Sequence, residues 1–155
     1  MDDFDQPGVW WVADPFIGED GLELAERAGV TLLQIHGHYP EMGRYYSEQP
    51  TWRTSARLLL DEESWLFTAR RGRMLTRQEL AGFVARAADL GLNPALYFNA
   101  CECQWQLARQ RFARWRVLGP EGEPIRAWWV KGVRGEQCVL MNPDPAGEFG
   151  RFLVK

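Results

Sequence analysis

A short apolar segment, a polar stop and a capped helix follow one another repeatedly along this chain. The first such segment, residues 9–13, stops at Asp14. Asp20, followed by Glu23 three residues on, predicts a capped helix, and Gly29 supplies its C-terminal stop. The next apolar run, residues 30–35, is nearly continuous, as in a strand that is buried on both faces. The later apolar segments are residues 30–35, 94–98 and 138–141.

The helices between these segments have clear boundary signals. Thr76 and Glu79 form a capping box, and Gly91 closes the helix that begins there. A further helix is predicted from near Gln104, and a last one from Gly147 onward. Short apolar strands that alternate with capped helices favour parallel βα units with right-handed crossovers. In such folds ligands bind at the carboxyl ends of the strands.

The alternation predicts an α/β fold with four βα units. Four units are half of a (β/α)8 TIM barrel, which needs roughly 250 residues, whereas this chain has 155. We therefore expect residues 1–155 to form a single α/β domain that is the amino-terminal portion of a larger barrel, a partial TIM barrel. A four-stranded open α/β sheet is the alternative. Residues 41–75 are a long insertion after the second strand, with a hairpin or small helix expected near 55–60.

Charge and motif content exclude several classes of function. The net charge is −3, with ten acidic and two basic side chains in residues 1–50 and a basic excess in residues 51–135. Because the arginines of this middle part are scattered among acids, we interpret it as a solvated surface rather than a nucleic-acid site. The chain contains no Walker phosphate loop, no Gly-x-Gly-x-x-Gly motif and no Gly-x-Ser-x-Gly motif. Their absence argues against nucleotide hydrolysis, dinucleotide chemistry and serine hydrolase chemistry.

Compartment and partners can be inferred from the same residues. No apolar run reaches the ~20 residues that span a bilayer, and the acidic start lacks the basic region of a secretory signal. The three cysteines cannot all pair, and Cys101 lies too close to Cys103 for easy bridging. We expect reduced thiols in a cytoplasmic protein, no cofactor, no membrane partner, and self-association through open barrel edges.

The only two histidines of the chain, His36 and His38, follow the second apolar segment. Residues i and i+2 of a strand share a face, so both imidazoles could reach one metal ion. A His-x-His pair after an early barrel strand resembles the amidohydrolase metal site and suggests a metal-dependent hydrolase, although the further ligands of that pattern are missing. Contact with a substrate is the second interpretation, and a structural role with a turn at Gly37 is the third.

Asn99, Glu102 and Trp105 follow the next apolar segment. A carboxylate and an amide beside an aromatic ring suit the hydroxyls and the apolar face of a sugar. The alternative is that Glu102 lies in a first helical turn, where its charge favours the positive end of the helix. The spacing of Cys101 and Cys103 gives little support for zinc or redox chemistry.

The residues after the last apolar segment are a third candidate. Asn142 and Asp144 alternate there with two prolines, which fix the backbone and stop the strand, so that a turn explains them without any function. Asp144 is placed either to cap the last helix or to contact a ligand. Aromatic platforms are common in carbohydrate sites and also in cores, so the eight tryptophans favour both.

Three phrases carry a resemblance to a known family. They are Leu-Leu-Gln-Ile-His-Gly at 32–37, the segment 90–99 ending in Tyr-Phe-Asn, and Met-Asn-Pro at 141–143. They resemble the first half of (β/α)8 glycoside-hydrolase-like barrels related to the α-galactosidases. The resemblance implies a carbohydrate-active retaining enzyme with two carboxylates, a nucleophile and an acid/base, about 5–5.5 Å apart. This chain departs from the pattern, because Asp144, beyond a proline, is the only aspartate near the ends of its third and fourth strands. The catalytic pair is therefore unassigned.

The sequence thus predicts a carbohydrate-active barrel protein of the glycoside hydrolase type, present here as an incomplete and inactive portion. Two alternatives stay open: a metal-dependent hydrolase that uses His36 and His38, and a non-enzymatic α/β ligand-binding or assembly module. Carbohydrate is the expected partner, with no nucleic acid and no membrane. The predicted substrate-binding residues are His36, His38, Tyr39, Asn99, Glu102, Trp105, Asn142 and Asp144.

Overall fold

The computed structural model of the chain describes residues 8–54, 73–127 and 138–154. The hairpin or small helix predicted near 55–60 lies outside these described residues. The chain divides into two compact units, which we call the first unit and the second unit. The first unit is formed by residues 1–38 with 75–97, and the second by residues 39–74 with 98–155.

The described strands and helices are short. In chain order they are β1 (Val9–Ala13), α1 (Gly18–Arg27), β2 (Val30–Ile35), β3 (Thr51–Arg53), β4 (Met74–Thr76), α2 (Arg77–Asp89), β5 (Pro94–Leu96), β6 (Glu102–Gln104), α3 (Trp105–Arg111), β7 (Cys138–Leu140) and α4 (Glu148–Leu153). β3 and β4 form a small two-stranded sheet. In the described part of the chain, none of the helices has the length and apolar character that crossing a bilayer requires.

The first unit is built on a three-stranded parallel sheet with the order β1-β2-β5. α1 connects β1 to β2, and α2 leads into β5, as the alternation of segments predicts. Leu33 and Ile35 of the central strand are fully buried. They share one core with Leu22 and Ala25 of α1 and with Ala87 of α2. Both helices therefore cover the same face of the sheet.

The other face of this sheet is open among the described residues. Trp10 of β1 pairs with Leu32 of β2, and their side chains are 61% and 42% exposed. Val12 and Gln34 come next on the same face and are half-buried. The described strands close no barrel. The α/β fold class is thus confirmed, with a small parallel sheet, whereas the partial TIM barrel stays a prediction.

α2 begins at the capping box that the sequence predicts. Glu79 N donates to Thr76 Oγ1 at 3.0 Å, and Thr76 N donates to Glu79 Oε2 at 2.7 Å. Two N–H groups that have no partner within the helix are satisfied in this way, which fixes the first turn. Gly91, with a φ of 75°, follows the end of the helix as predicted.

α1 begins earlier than its sequence indicates. The predicted cap at Asp20 is wrong, because the helix starts at Gly18 and its N-cap is Ile17, whose side chain makes no capping hydrogen bond. The chain has already turned at Asp14, whose Oδ1 accepts a hydrogen bond from Phe16 N at 2.8 Å. Asp20 instead lies in the first helical turn, where its charge favours the positive helix end.

The second unit contains an antiparallel pair of strands, which differs from the prediction. The apolar segment 138–141 is expected to join the parallel sheet, but β7 pairs antiparallel with β6, with Glu102 opposite Leu140. Residues 102–104 supply this partner strand, although the sequence places them between the apolar segment 94–98 and the start of the next predicted helix. The segment 125–127 also hydrogen-bonds to β7. An apolar run needs backbone partners when it is buried, but it does not specify the direction of the strand that supplies them.

Apolar side chains of α3, β7 and α4 form the core of the second unit. Phe112 and Phe149 are fully buried, and their ring centres lie 5.2 Å apart in an edge-on arrangement. α3 and α4 begin one residue after the predicted positions, Gln104 and Gly147. Gln104 caps α3 with its side chain, since its Oε1 accepts a hydrogen bond from Leu107 N at 3.0 Å.

Candidate functional site

Three side chains directly follow the parallel strands of the first unit: Asp14 after β1, His36 after β2 and Tyr97 after β5. The strand ladder continues into them. His36 N donates to Ala13 O at 2.7 Å. Tyr97 N donates to Ile35 O at 2.9 Å. These bonds hold the three positions at one edge of the sheet, which we call the carboxyl edge, where α/β folds bind their ligands.

The imidazole of His36 and the ring of Tyr97 stack on each other at the carboxyl edge. Their centres are 3.9 Å apart, with an angle of 32° between the planes. Burial lowers the pKa of His36 to about 4, so the imidazole is neutral near pH 7. A neutral imidazole can donate one hydrogen bond and accept another. The pair therefore offers both an aromatic surface and polar groups to a ligand.

His38 has a structural environment. Its side chain is 2% exposed, and its Nδ1–H donates to Ile35 O at 3.2 Å. β2 ends at Ile35 and Gly37 has a φ of 65°, so residues 36–38 form a turn and not a strand. The shared strand face that would bring both imidazoles to one metal ion is therefore not formed. Within the described ranges, no group of three or more metal-ligating side chains is placed to hold an ion.

His38→Gln is expected to flatten the pH dependence of stability between pH 7 and pH 4. Burial lowers the pKa of His38 to about 4, from the usual 6.5. As the pH falls through this window, the unfolded chain takes up a proton that the folded chain does not. The wild type thereby loses up to about 3 kcal/mol. Glutamine does not titrate but can still donate to Ile35 O. Urea denaturation across the window measures the difference, and parallel curves for the two proteins would contradict the expectation.

Tyr39 lies inside the second unit. It is fully buried and packs edge-on against Tyr45, with ring centres 5.1 Å apart. The ring of Tyr45 lies 5.0 Å from that of Phe98, and its hydroxyl donates to Asn99 O at 2.9 Å. Packing thus explains the position of Tyr39, and its contact with a substrate stays a prediction.

The side chains of Asn99, Asn142 and Asp144 accept hydrogen bonds within their own turns. Asn99 Oδ1 accepts from Cys101 N at 2.9 Å. Asn142 Oδ1 accepts from Asp144 N at 3.1 Å, and Asp144 Oδ1 accepts from Ala146 N at 2.9 Å. Such turns are the ordinary local use of these residue types. Each of the three therefore has a structural role in addition to its predicted contact with a ligand.

Glu102 and Trp105 lie at the junction of β6 and α3. Glu102 belongs to strand β6, so the alternative that assigned it to a first helical turn is wrong. Its side chain is 7% exposed. Burial first, and then the charge of Glu102, raises the pKa of Cys138 to about 12. Trp105 packs half-buried on the core of the second unit, with the Arg116 guanidinium carbon 5.4 Å from its ring centre. Sugar contact by either side chain stays a prediction.

Asp14 and Tyr97 are absent from the site that the sequence predicts. The apolar segment 94–98 extends past the end of its strand, so the sequence does not show where the strand ends. In the structure β5 ends at Leu96, and Tyr97 is the first residue after it. Asp14 is a polar residue directly after an apolar segment, which is the position expected of a ligand-binding side chain. A turn before Pro15 explains an aspartate at this position equally well.

Comparison with known proteins shows a likeness in fold and none in sequence family. No protein-family model matches the chain, and no curated protein matches it in sequence. Among solved structures it is similar to a Paenibacillus sp. cycloisomaltooligosaccharide glucanotransferase, crystallised in complex with cycloisomaltoheptaose. The TM-score is 0.62 at 12% identity, and the likeness covers 97% of this chain and 21% of that one. This chain thus shares an α/β fold with about a fifth of a carbohydrate-active enzyme.

Proposed function

We propose that this chain is part of a carbohydrate-active barrel protein of the glycoside hydrolase type, and that its carboxyl edge binds a saccharide. The stacked pair of His36 and Tyr97, at the ends of neighbouring parallel strands, carries the proposal. Aromatic rings pack on the apolar face of a sugar, and a neutral imidazole exchanges hydrogen bonds with its hydroxyls. The bound cyclic saccharide of the glucanotransferase supports this class of ligand.

The one-sided cover of the parallel sheet supports the barrel. In a (β/α)8 barrel the helices lie outside, and the inward side chains of the strands pack against one another. α1 and α2 cover one face of the sheet, and the other face presents Trp10 and Leu32. Further parallel strands of a barrel are the occupants that would bury this face. The likeness to a fifth of a longer enzyme favours them over a free-standing four-stranded sheet.

The finer proposal is a relation to the α-galactosidases and a retaining mechanism in the whole barrel. That mechanism needs two carboxylates about 5–5.5 Å apart. Among the three residues that follow each described parallel strand, Asp14 is the only carboxylate. The carboxyl edge of this sheet therefore serves saccharide binding, and at least one catalytic carboxylate comes from elsewhere in the barrel. We expect no hydrolysis by this chain alone.

The two alternatives, a metal-dependent hydrolase and a non-enzymatic binding module, would use the carboxyl edge in different ways. A metal-dependent hydrolase is less favoured, because His36 and His38 lie in a turn and His38 is buried. A non-enzymatic binding module would use the same saccharide site without catalysis. Self-association through open barrel edges stays a prediction.

Calorimetric titration of the protein with cycloisomaltoheptaose and with the α-galactoside melibiose tests the proposal. We expect at least one of the two to bind. Tyr97→Ala should weaken that binding roughly tenfold, because aromatic contacts contribute on the order of 1 kcal/mol beyond the area they bury. His36→Ala should have a similar effect. Tyr97→Phe keeps the ring and should retain most of the affinity.

Thr31→Ala is the matched control for these variants. Thr31 lies near the amino end of β2, the strand that His36 follows. Its hydroxyl donates to Val9 O at 3.3 Å. This substitution should leave the affinity unchanged. Binding that survives both Tyr97→Ala and His36→Ala, or the failure of both saccharides to bind, would contradict the proposal. Melting curves of each variant show that the loss of binding is not a loss of folding.

A further inference from the structure

A cleft of about 300 Å³ opens within the second unit. Its wall is formed by residues of the segment 40–53, by Arg111 at the end of α3 and by Phe152 of α4. All of these residues belong to the second unit, whereas His36 and Tyr97 belong to the first. The cleft is therefore distinct from the carboxyl edge, and the predicted sugar-binding residues do not line it.

The described lining of the cleft keeps an excess of positive charge even when the Glu41 carboxylate that pairs with Arg44 is counted, in a chain that is acidic as a whole. Among the described residues that line it are three arginines, Arg44, Arg53 and Arg111, and one carboxylate, Glu48. The net charge of the chain is −3. A concave site lined by one sign of charge concentrates ligands of the opposite sign. The local excess of arginine therefore favours an anion.

Two of the three guanidinium groups are held in place by their neighbours. Arg44 Nε lies 3.1 Å from Glu41 Oε1, an ion pair that orients the guanidinium plane while the Nη groups can still donate. The Arg111 guanidinium carbon lies 4.6 Å from the ring centre of Phe152 and 5.2 Å from that of Phe112. Stacking engages the faces of a guanidinium and leaves its in-plane N–H groups for a ligand. Paired N–H groups of this kind match the two oxygens of a carboxylate or phosphate.

The rest of the wall suits a hydroxylated molecule. Trp52 and Tyr46 are half-buried and supply aromatic surface. Gln49 supplies an amide group that can donate and accept hydrogen bonds, and it lies beside Ser47, whose Oγ accepts from Gln49 N at 3.1 Å. Ligand sites commonly combine such apolar surface with a few polar groups that fix orientation. An inorganic anion alone would not contact this aromatic surface.

We propose that this cleft binds a small hydroxylated molecule that carries a carboxylate or a phosphate group, with the oxyanion on Arg44 and Arg111 and the hydroxylated part on Trp52. The inference does not depend on the proposed function of the carboxyl edge, since the two sites share no residue. Glucuronate and glucose 6-phosphate represent the two sources of the oxyanion. Glucose is the neutral probe of the same ring size.

Calorimetric titration with the three probes at low ionic strength tests the inference. At least one of the two anions should bind, and the tighter one identifies the oxyanion. Arg111→Gln should weaken its binding roughly tenfold or more, because a hydrogen bond to a charged group contributes about 1.5–3 kcal/mol. Arg44→Gln should have the same effect and provides a second variant if the first does not fold. Any affinity for glucose should not change in Arg111→Gln.

Arg109→Gln is the matched control, because Arg109 is an exposed arginine of the same helix that does not line the cleft. It should leave anion affinity unchanged. Equal losses in Arg109→Gln and Arg111→Gln would overturn the inference, as would the failure of both anions to bind. Loss of glucose affinity in Arg111→Gln would overturn the assignment of this arginine to an oxyanion. Saccharide binding that depends on Tyr97 but not on Arg111 reports on the carboxyl edge alone.

Discussion

Gly150→Ala is expected to lower the free energy of unfolding by about 3 kcal/mol, as overpacking against rigid neighbours does. Gly150 is buried in α4, and a Cβ built on it would lie 2.6 Å from the carbonyl carbon of Asp144 and 2.8 Å from Pro143 O. These are backbone atoms, which cannot rotate away as a side chain could. The turn before α4 would have to shift, and the core around Phe149 would shift with it. Urea denaturation followed by circular dichroism measures the loss.

Gly82→Ala is the matched control for this change. Gly82 lies in the exposed interior of α2, and a Cβ there would meet no described atom outside its own helix within 4 Å. Alanine favours the helix, so this variant should be more stable than the wild type by up to about 1 kcal/mol. If both variants unfold at the same urea concentration, Gly150 does not lie as close to the preceding turn as described here.

Leu33→Ala is expected to cost about 3–4 kcal/mol, the range of a buried leucine truncation that leaves a cavity. Leu33 is in the middle of the central strand β2, is 0% exposed, and packs under α1 and α2. Leu32→Ala removes the same atoms from the neighbouring residue, whose side chain points to the other face and is 42% exposed. That variant should lose less than about 1 kcal/mol. The comparison is made by urea denaturation of both variants.

The Leu32 result also tests the open face of the parallel sheet. If Leu32→Ala destabilises the protein as much as Leu33→Ala, this face is covered in solution, and the uncovered sheet described above is wrong. Sedimentation of the wild type would then distinguish cover by a second copy from cover within one chain.

Part of the candidate site could be predicted from the sequence. His36 is found because it directly follows an apolar run, and the carboxyl ends of parallel strands meet at one edge. Tyr97 is missed because the apolar run continues past the end of β5. The last residue of β5 lies opposite Ile35, the last residue of β2, and the position of that partner strand is not encoded locally. The turn at Gly37 is one of the three interpretations that the sequence leaves open for the histidines, and the positive φ of Gly37 shows that turn in the folded chain.

Local residue patterns specify the apolar segments and the start of α2, because these depend on residues close together in the chain. The capping box of Thr76 and Glu79 is such a local signal. The tertiary structure alone decided the direction of β7 and the gathering of Arg44 and Arg111 in one cleft. Those outcomes join segments that are far apart in sequence. Which segments pair through their backbones, and which side chains pack together, is decided only when the chain folds. No local sequence pattern specifies these contacts.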